Sequence, residues 1–287
     1  MKFIKPYVDC VYFSENLRRY YPKIYNELAD ILSNHNACHG VLKGTADYWC
    51  RDYMPVQIDN NHFVQFKYHP DYLEGLRNYE TPTEVSIKLA KTLTPNSTMS
   101  VSAIVADGGN FTFASIKRGR GYTPVAVMTE KIFFENPDIE RECIISQLEK
   151  LFPSHRLLFL PWDRSDTCGH TDGILHAVRN NKVLVNLKVY PDNIAAKMRH
   201  ILESCFKVID LELSDYHELS WAYINMIHTQ DVIIVPGLGL STDMEALEHV
   251  RKLFPEYQNR IHQVQMPSIV KRGGALNCLS WTFTKQH

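Results

Sequence analysis

The chain has 287 residues, 45% of them hydrophobic, with 31 basic against 32 acidic side chains. That composition supports the core of one large domain or two small ones and excludes a disordered chain, and the near-zero net charge argues against nucleic acid as a partner. No apolar run approaches the roughly 18 residues of a membrane span, MKFIKPYVDC holds no apolar stretch of signal-peptide length, and seven cysteines without CxxC spacing fit free thiols, so a cytoplasmic protein that does not engage membranes is expected.

Residues 22–32 read as a helix, followed by a short strand near Val41. The runs MPVQI and HFVQFKY flank Asp59, Asn60 and Asn61, a hairpin signal. Thr81, Pro82 and Glu84 predict a capping-box helix start with proline at the first helical position; Val85, Leu89 and Leu93 recur at four-residue spacing, and MSVSAIV predicts a strand ending at Asp107. The order of two strands, a helix and a strand then recurs. NFTFAS and TPVAVM precede a helix over 137–151 and the strand HRLLFLP. GILHAV and VLVNLKV, joined by an Asn180, Asn181 turn, precede a helix over 191–203 and the strand CFKVIDLEL. WAYINMI and DVIIVPG precede a helix over 242–253 and IHQVQMP. The chain closes on the strand ALNCLSWTF, so its two ends together complete a fifth unit and close a ring. No Pro, Gly or Ser-rich linker interrupts the series, which predicts a single domain over 1–287.

Polar residues stand at the entry to each unit's first strand: Arg51 and Asp52; Asp107, Gly108, Gly109 and Asn110; Gly169, His170, Thr171 and Asp172; Tyr223 and Asn225; and Cys278. Asp52, Asp107, His170, Asn225 and Cys278 follow one another at intervals of 55, 63, 55 and 53 residues. A closed ring of equivalent units brings such positions together at one end of its axis. Taken singly, each has a plainer reading: Cys278 as a small buried residue, His170 as a structural histidine, Asp52 as half of an ion pair with Arg51, Asp107 as a turn residue. Strand alternation sets Cys278, Ser280 and Thr282 opposite Leu279, Trp281 and Phe283, and puts His170 and Asp172 on one face. Inward-facing carboxylates need a compensating cation, and a planar guanidinium matches them fork to fork. A thiol beside such acids has a raised pKa, which a bound cation or a protonated His170 would reverse.

WCRDYMP (49–55), DGGN (107–110), TCGHTDG (167–173), YIN (223–225) and GGALNC (273–278) resemble, in order and spacing, the motifs of the agmatine deiminase and bacterial, Porphyromonas-type peptidylarginine deiminase branch of the guanidino-group-modifying enzymes. The resemblance implies an α/β fold, a five-fold pseudosymmetric propeller of ββαβ units, and hydrolysis of a small-molecule guanidine to a ureido product and ammonia through a thiouronium on cysteine, with no metal or organic cofactor. It implies Cys278 as nucleophile, His170 as general acid and base, Asp107 as the acid contacting the histidine, Asp52 and Asp172 as the guanidinium clamp and Asn225 near the substrate. The chain departs from the family pattern at Asp107, where relatives carry a glutamate, at Asn277, where histidine is common, and at Met54, where glycine is usual. Two alternatives use the same residues: transfer of the amidino group to an amine, and a non-catalytic guanidine-binding protein. The choice among agmatine, arginine, a peptide-terminal arginine or another guanidine stays open at this level.

Three other signals are weak. A zinc site from Cys168, His170 and His176 lacks paired-cysteine spacing and a fourth ligand. Gly237 and Gly239 read as a turn after the strand DVIIV, and Lys117, Arg118 and Arg120 as a solvated hairpin tip.

Overall fold

The computed structural model describes residues 7–119, 121–179 and 181–286. Arg120 and Asn180, each expected in a hairpin turn, lie outside the described residues. The chain opens with β1 (Tyr7–Ser14), α1 (Glu15–Tyr20), α2 (Pro22–Asn34) and β2 (Cys38–Leu42). The short helix α3 (Cys50–Tyr53) leads into β3 (Val56–Asp59), β4 (His62–Lys67), α4 (Thr83–Leu93) and β5 (Thr98–Val105). Next come β6 (Thr112–Arg118), β7 (Gly121–Thr129), α5 (Lys131–Phe134), α6 (Arg141–Leu151) and β8 (Arg156–Leu160). The third group is β9 (Leu175–Val178), β10 (Lys182–Val185), α7 (Asp192–Glu203) and β11 (Lys207–Asp210). The fourth is β12 (Ile227–His228), β13 (Ile233–Gly237), α8 (Asp243–Leu253) and β14 (Ile261–Gln265), and the chain ends on α9 (Pro267–Val270), α10 (Leu276–Leu279) and β15 (Ser280–Gln286).

These elements form five three-stranded sheets in a mixed α/β architecture that fits the expected pseudo-fivefold arrangement. In every sheet the middle strand pairs antiparallel with one neighbour and parallel with the other. A parallel pair needs a crossover, and α2, α4, α6, α7 and α8 supply one each. The fifth sheet joins the chain ends: Cys10 pairs with Phe283 on β15 and with Cys38 on β2. β13 is buried at every position, as a strand covered on both faces must be. The crossover helices face the sheets through side chains four apart: Leu28 and Leu32, Ile144 and Leu148, Met198 and Leu202, Ala246 and Val250. No helix among the described residues is long and apolar enough to cross a membrane.

Several local expectations fail for physical reasons. The buried positions of α4 are Ser86 and Ala90, with Val85, Leu89 and Leu93 half-buried on the flanks. Pro82 is the cap residue outside α4, and the Thr81 hydroxyl accepts from the Ala46 N–H at 2.9 Å instead of capping the helix. The predicted helix over 137–151 begins only at Arg141. Most of WAYINMI is a 3₁₀ turn, Glu218–Ile224, because His217 and Ser220 close a reciprocal capping box at its start. VLVNLKV leaves the sheet at Val185. ALNCLSWTF is helical up to Leu279; pairing with β1 begins at Ser280, since the Asn277 N–H goes to the Asn225 carbonyl at 3.1 Å. Trp281 and Phe283 do share the buried face of β15, but Cys278 is not on that strand.

Candidate active site

The polar residues that open each unit stand on or cap five short helical turns, α3, Gly108–Asn110, Thr171–Gly173, Glu218–Ile224 and α10, with Asp107, His170 and Asn225 at the caps. The turns touch in a closed circuit. Gly108 meets the carbonyl of Arg51 and Gly109 meets both Asp52 and His170. Asn225 Nδ2–H donates to the Asp172 carbonyl at 3.2 Å and Asn225 Oδ1 accepts the Asn277 N–H at 2.9 Å. Arg51 Nη2–H closes the circuit on Asn277 Oδ1 at 3.0 Å. A Cβ on Gly109 would lie 2.6 Å from Asp52 Oδ1 and from His170 Nδ1, so no larger residue leaves those two side chains where they are. His170 and Asp172 meet the site from a turn and not from one face of a strand, contrary to the alternation argument.

His170 is sandwiched between two carboxylates, with Nε2 at 2.9 Å from Asp107 Oδ2 and Nδ1 at 3.5 Å from Asp52 Oδ1. The contact expected of the longer glutamate is thus made by Asp107. Burial alone would lower the imidazole pKa, but Asp52 and Asp107 outweigh it and raise it to about 10, so His170 is held protonated. Burial pushes Asp52 well above the usual carboxylate range, with Asp107 and Asp172 adding repulsion and His170 opposing them. Cys278 is raised well above an ordinary thiol, first by burial and then by Asp172 and Asp52. Its sulfur lies 3.4 Å from Asn225 Oδ1 and 3.7 Å from Asp172 Oδ2. Cys278, His170 and Asp172 line one cavity of about 410 Å³.

The six candidates therefore converge, and three residues without an expected role join them. Asn277 Nδ2–H donates to Asp172 Oδ2 at 2.7 Å while Arg51 holds its carbonyl, so the asparagine that replaces the usual histidine fixes the carboxylate beside the thiol. Its place next to Cys278 was the available signal. Tyr72 O–H donates to Asp107 Oδ2 at 2.7 Å from a connection that carries no motif. The suggested trio Cys168, His170 and His176 does not assemble: His176 pairs with His228 at 3.0 Å and His170 with the two acids.

The Porphyromonas-type peptidyl-arginine deiminase family model matches residues 20–283. The chain belongs to that family. Among solved structures this deiminase-family chain is similar to the agmatine deiminase of C. jejuni (16% identity, TM-score 0.70, covering 99% of this chain and 98% of that one). It is also similar to the agmatine deiminase of Enterococcus faecalis (18%, TM-score 0.70, 97% and 93%) and to the N-terminal domain of a cyanobacterial arginine dihydrolase, ArgZ, covalently bonded to a reaction intermediate (12%, TM-score 0.63, 96% and 98%). No curated protein sequence matches the chain.

Proposed function

We propose that the five units close into one propeller domain that hydrolyses a guanidino compound to its ureido product and ammonia, with Cys278 as nucleophile. The observation that carries this reading is the shared cavity of Cys278, His170 and Asp172, with Asp52 and Asp107 on the histidine. Burial, and after it the charges of Asp172 and Asp52, keeps the thiol protonated when no cation is bound. A guanidinium held by Asp52 and Asp172 cancels that repulsion and lets the thiol lose its proton to solvent water. The sulfur then bonds to the guanidinium carbon. His170 gives its proton to one amino group, the carbon–nitrogen bond breaks and ammonia leaves, with a thiouronium on Cys278. Neutral His170 takes a proton from water as its oxygen bonds to the same carbon; the carbon–sulfur bond breaks, the remaining hydroxyl proton passes to the departing sulfur and the ureido product leaves. An arginine dihydrolase domain of the same fold has been solved covalently bonded to a reaction intermediate, which supports a covalent route. The reaction needs only these side chains and water.

The cavity also favours a class of tail. Its wall includes Asp163, Asp166 and Glu218 beside Tyr190 and Trp221, with no Lys or Arg among the described residues that line it. A tail ending in an amine suits that wall; a free α-carboxylate meets like charge. The purified chain should release ammonia and a ureido product from agmatine, with kcat/KM for arginine lower by about tenfold or more, the equivalent of ~1.4 kcal/mol of repulsion. Cys278→Ala should abolish both. Amidino transfer to added glycine without ureido product, or equal guanidine binding by wild type and Cys278→Ala with no turnover by either, would overturn the proposal.

A further inference from the structure

Tyr72 touches the site without lining the cavity. Its hydroxyl donates to Asp107 Oδ2, the same oxygen that His170 Nε2 contacts, and its ring meets the imidazole edge-on at a centroid distance of 6.4 Å. Among the described residues Asp107 Oδ1 is buried without a hydrogen-bond partner, so the donors to this carboxylate's side chain are Tyr72 and His170. Asp107 is 1% exposed, so bulk solvent does not reach it and a donor lost from its side chain is costly.

Tyr72 sits in the connection 68–82 between β4 and α4, and one buried cation clips that connection down. Lys131, on α5 and 1% exposed, donates from Nζ to Asp71 Oδ1 at 2.8 Å and to the Thr167 carbonyl. The ammonium lies 5.0 Å from the centre of the Tyr72 ring and 5.3 Å from that of Trp162. A desolvated lysine persists only when paired, and its partners here are the buried Glu135 carboxylate at 3.8 Å on its own segment, Asp71 on the Tyr72 connection and the Thr167 carbonyl on the cavity-lining segment.

We propose that Tyr72 is a positioning residue for the His170–Asp107 pair, held over it by the Asp71–Lys131 contact. By sharing the charge of Asp107, its hydroxyl limits how tightly the carboxylate holds the imidazole proton and so sets how readily His170 passes from acid to base between the two halves of the reaction. Without the hydroxyl, Asp107 has His170 as its remaining side-chain donor, the imidazole keeps its proton to higher pH, and the hydrolytic half slows. The other groups facing Asp107 and His170 are Asp47, Asp52 and Asp172, the phenol of Tyr68, the thiol of Cys168, and Glu135 and Lys131 on and after α5. Glu135, pushed up to about 8 by burial and Asp107, titrates within the working range, so wild type and variant are compared under identical conditions.

This inference rests on the deiminase reading, and two measurements on the full chain separate their failures. For Tyr72→Phe, kcat with agmatine should fall by about tenfold or more with KM within about twofold, and the alkaline limb of kcat against pH should move upward. Asp71→Asn, which loosens the clip but keeps the hydroxyl, should move both in the same direction by less. In parallel, ¹⁵N-histidine NMR should show His170 titrating at higher pH in Tyr72→Phe than in wild type. An unchanged kcat and pH profile, or a lower kcat with neither the pH limb nor the His170 titration moved, would overturn the role of Tyr72. If wild type shows no turnover, the deiminase reading fails, and the titration still decides whether the hydroxyl tunes His170.

Discussion

Asn277 uses both ends of its amide on the site, donating to Asp172 and accepting from Arg51. Asn277→Ala leaves a buried carboxylate oxygen short of a donor and the guanidinium short of an acceptor. Hydrogen bonds to charged groups are worth ~1.5–3 kcal/mol, so kcat/KM should drop by about 10- to 150-fold with the fold intact by circular dichroism. His170 makes a second testable statement. Its folded pKa of about 10 stands above an unfolded value of ~6.5, so its pairing with Asp52 and Asp107 contributes stability that is fully present below the unfolded value and lost as pH rises through about 10. The Tm advantage of wild type over His170→Asn should therefore be largest near pH 6 and shrink toward pH 10. Cys278, His170, Asp52, Asp107, Asp172 and Asn225 were legible as a group because their spacing repeats with the unit. Tyr72 was not, because the connection 68–82 has no periodicity to register it and its role exists only once Lys131 draws it down.

Between residue and fold stand the five helical turns. Pattern reading placed Cys278, His170 and Asp172 on strands; the structure puts His170 and Asp172 at a turn whose N–H groups bond locally, and Cys278 on a turn whose N–H groups reach Asn225, neither of them pairing in a sheet. Asn225 shows why: its side-chain oxygen accepts the N–H groups of Asn277 and Cys278, an interaction no local propensity encodes. The glycines of DGGN were readable as a turn but not as a spacer. Gly109→Ala forces a methyl against Asp52 and His170 and should reduce kcat/KM by about 10²-fold through misplacement of those groups, with a stability cost of ~1–3 kcal/mol by denaturant unfolding. A kcat/KM within twofold of wild type would show that the turn has slack.

Across the whole molecule, the repeat order of strands and helices was the most legible feature, because each unit carries its own hydrophobic periodicity and its own turn signals. The union of the chain ends followed from counting units, and the β1–β15 pairing realises it. Phe283 anchors that seam, its ring stacked 5.7 Å from that of Tyr12 and tilted against that of Trp281 at 4.2 Å. Phe283→Ala should cost ~3–5 kcal/mol of unfolding free energy, and a much smaller loss would mean the seam is not part of the cooperative core. The convergence of a thiol from the last unit with acids from the first three is the consequence of that closure, and labelling with 2-chloroacetamidine tests it most directly. At neutral pH this cationic, guanidinium-shaped reagent should add one amidino-methyl group to the chain, mapped by mass spectrometry to Cys278 among the seven cysteines and suppressed by excess agmatine. Labelling spread evenly over the cysteines, or an unmodified Cys278, would contradict the account.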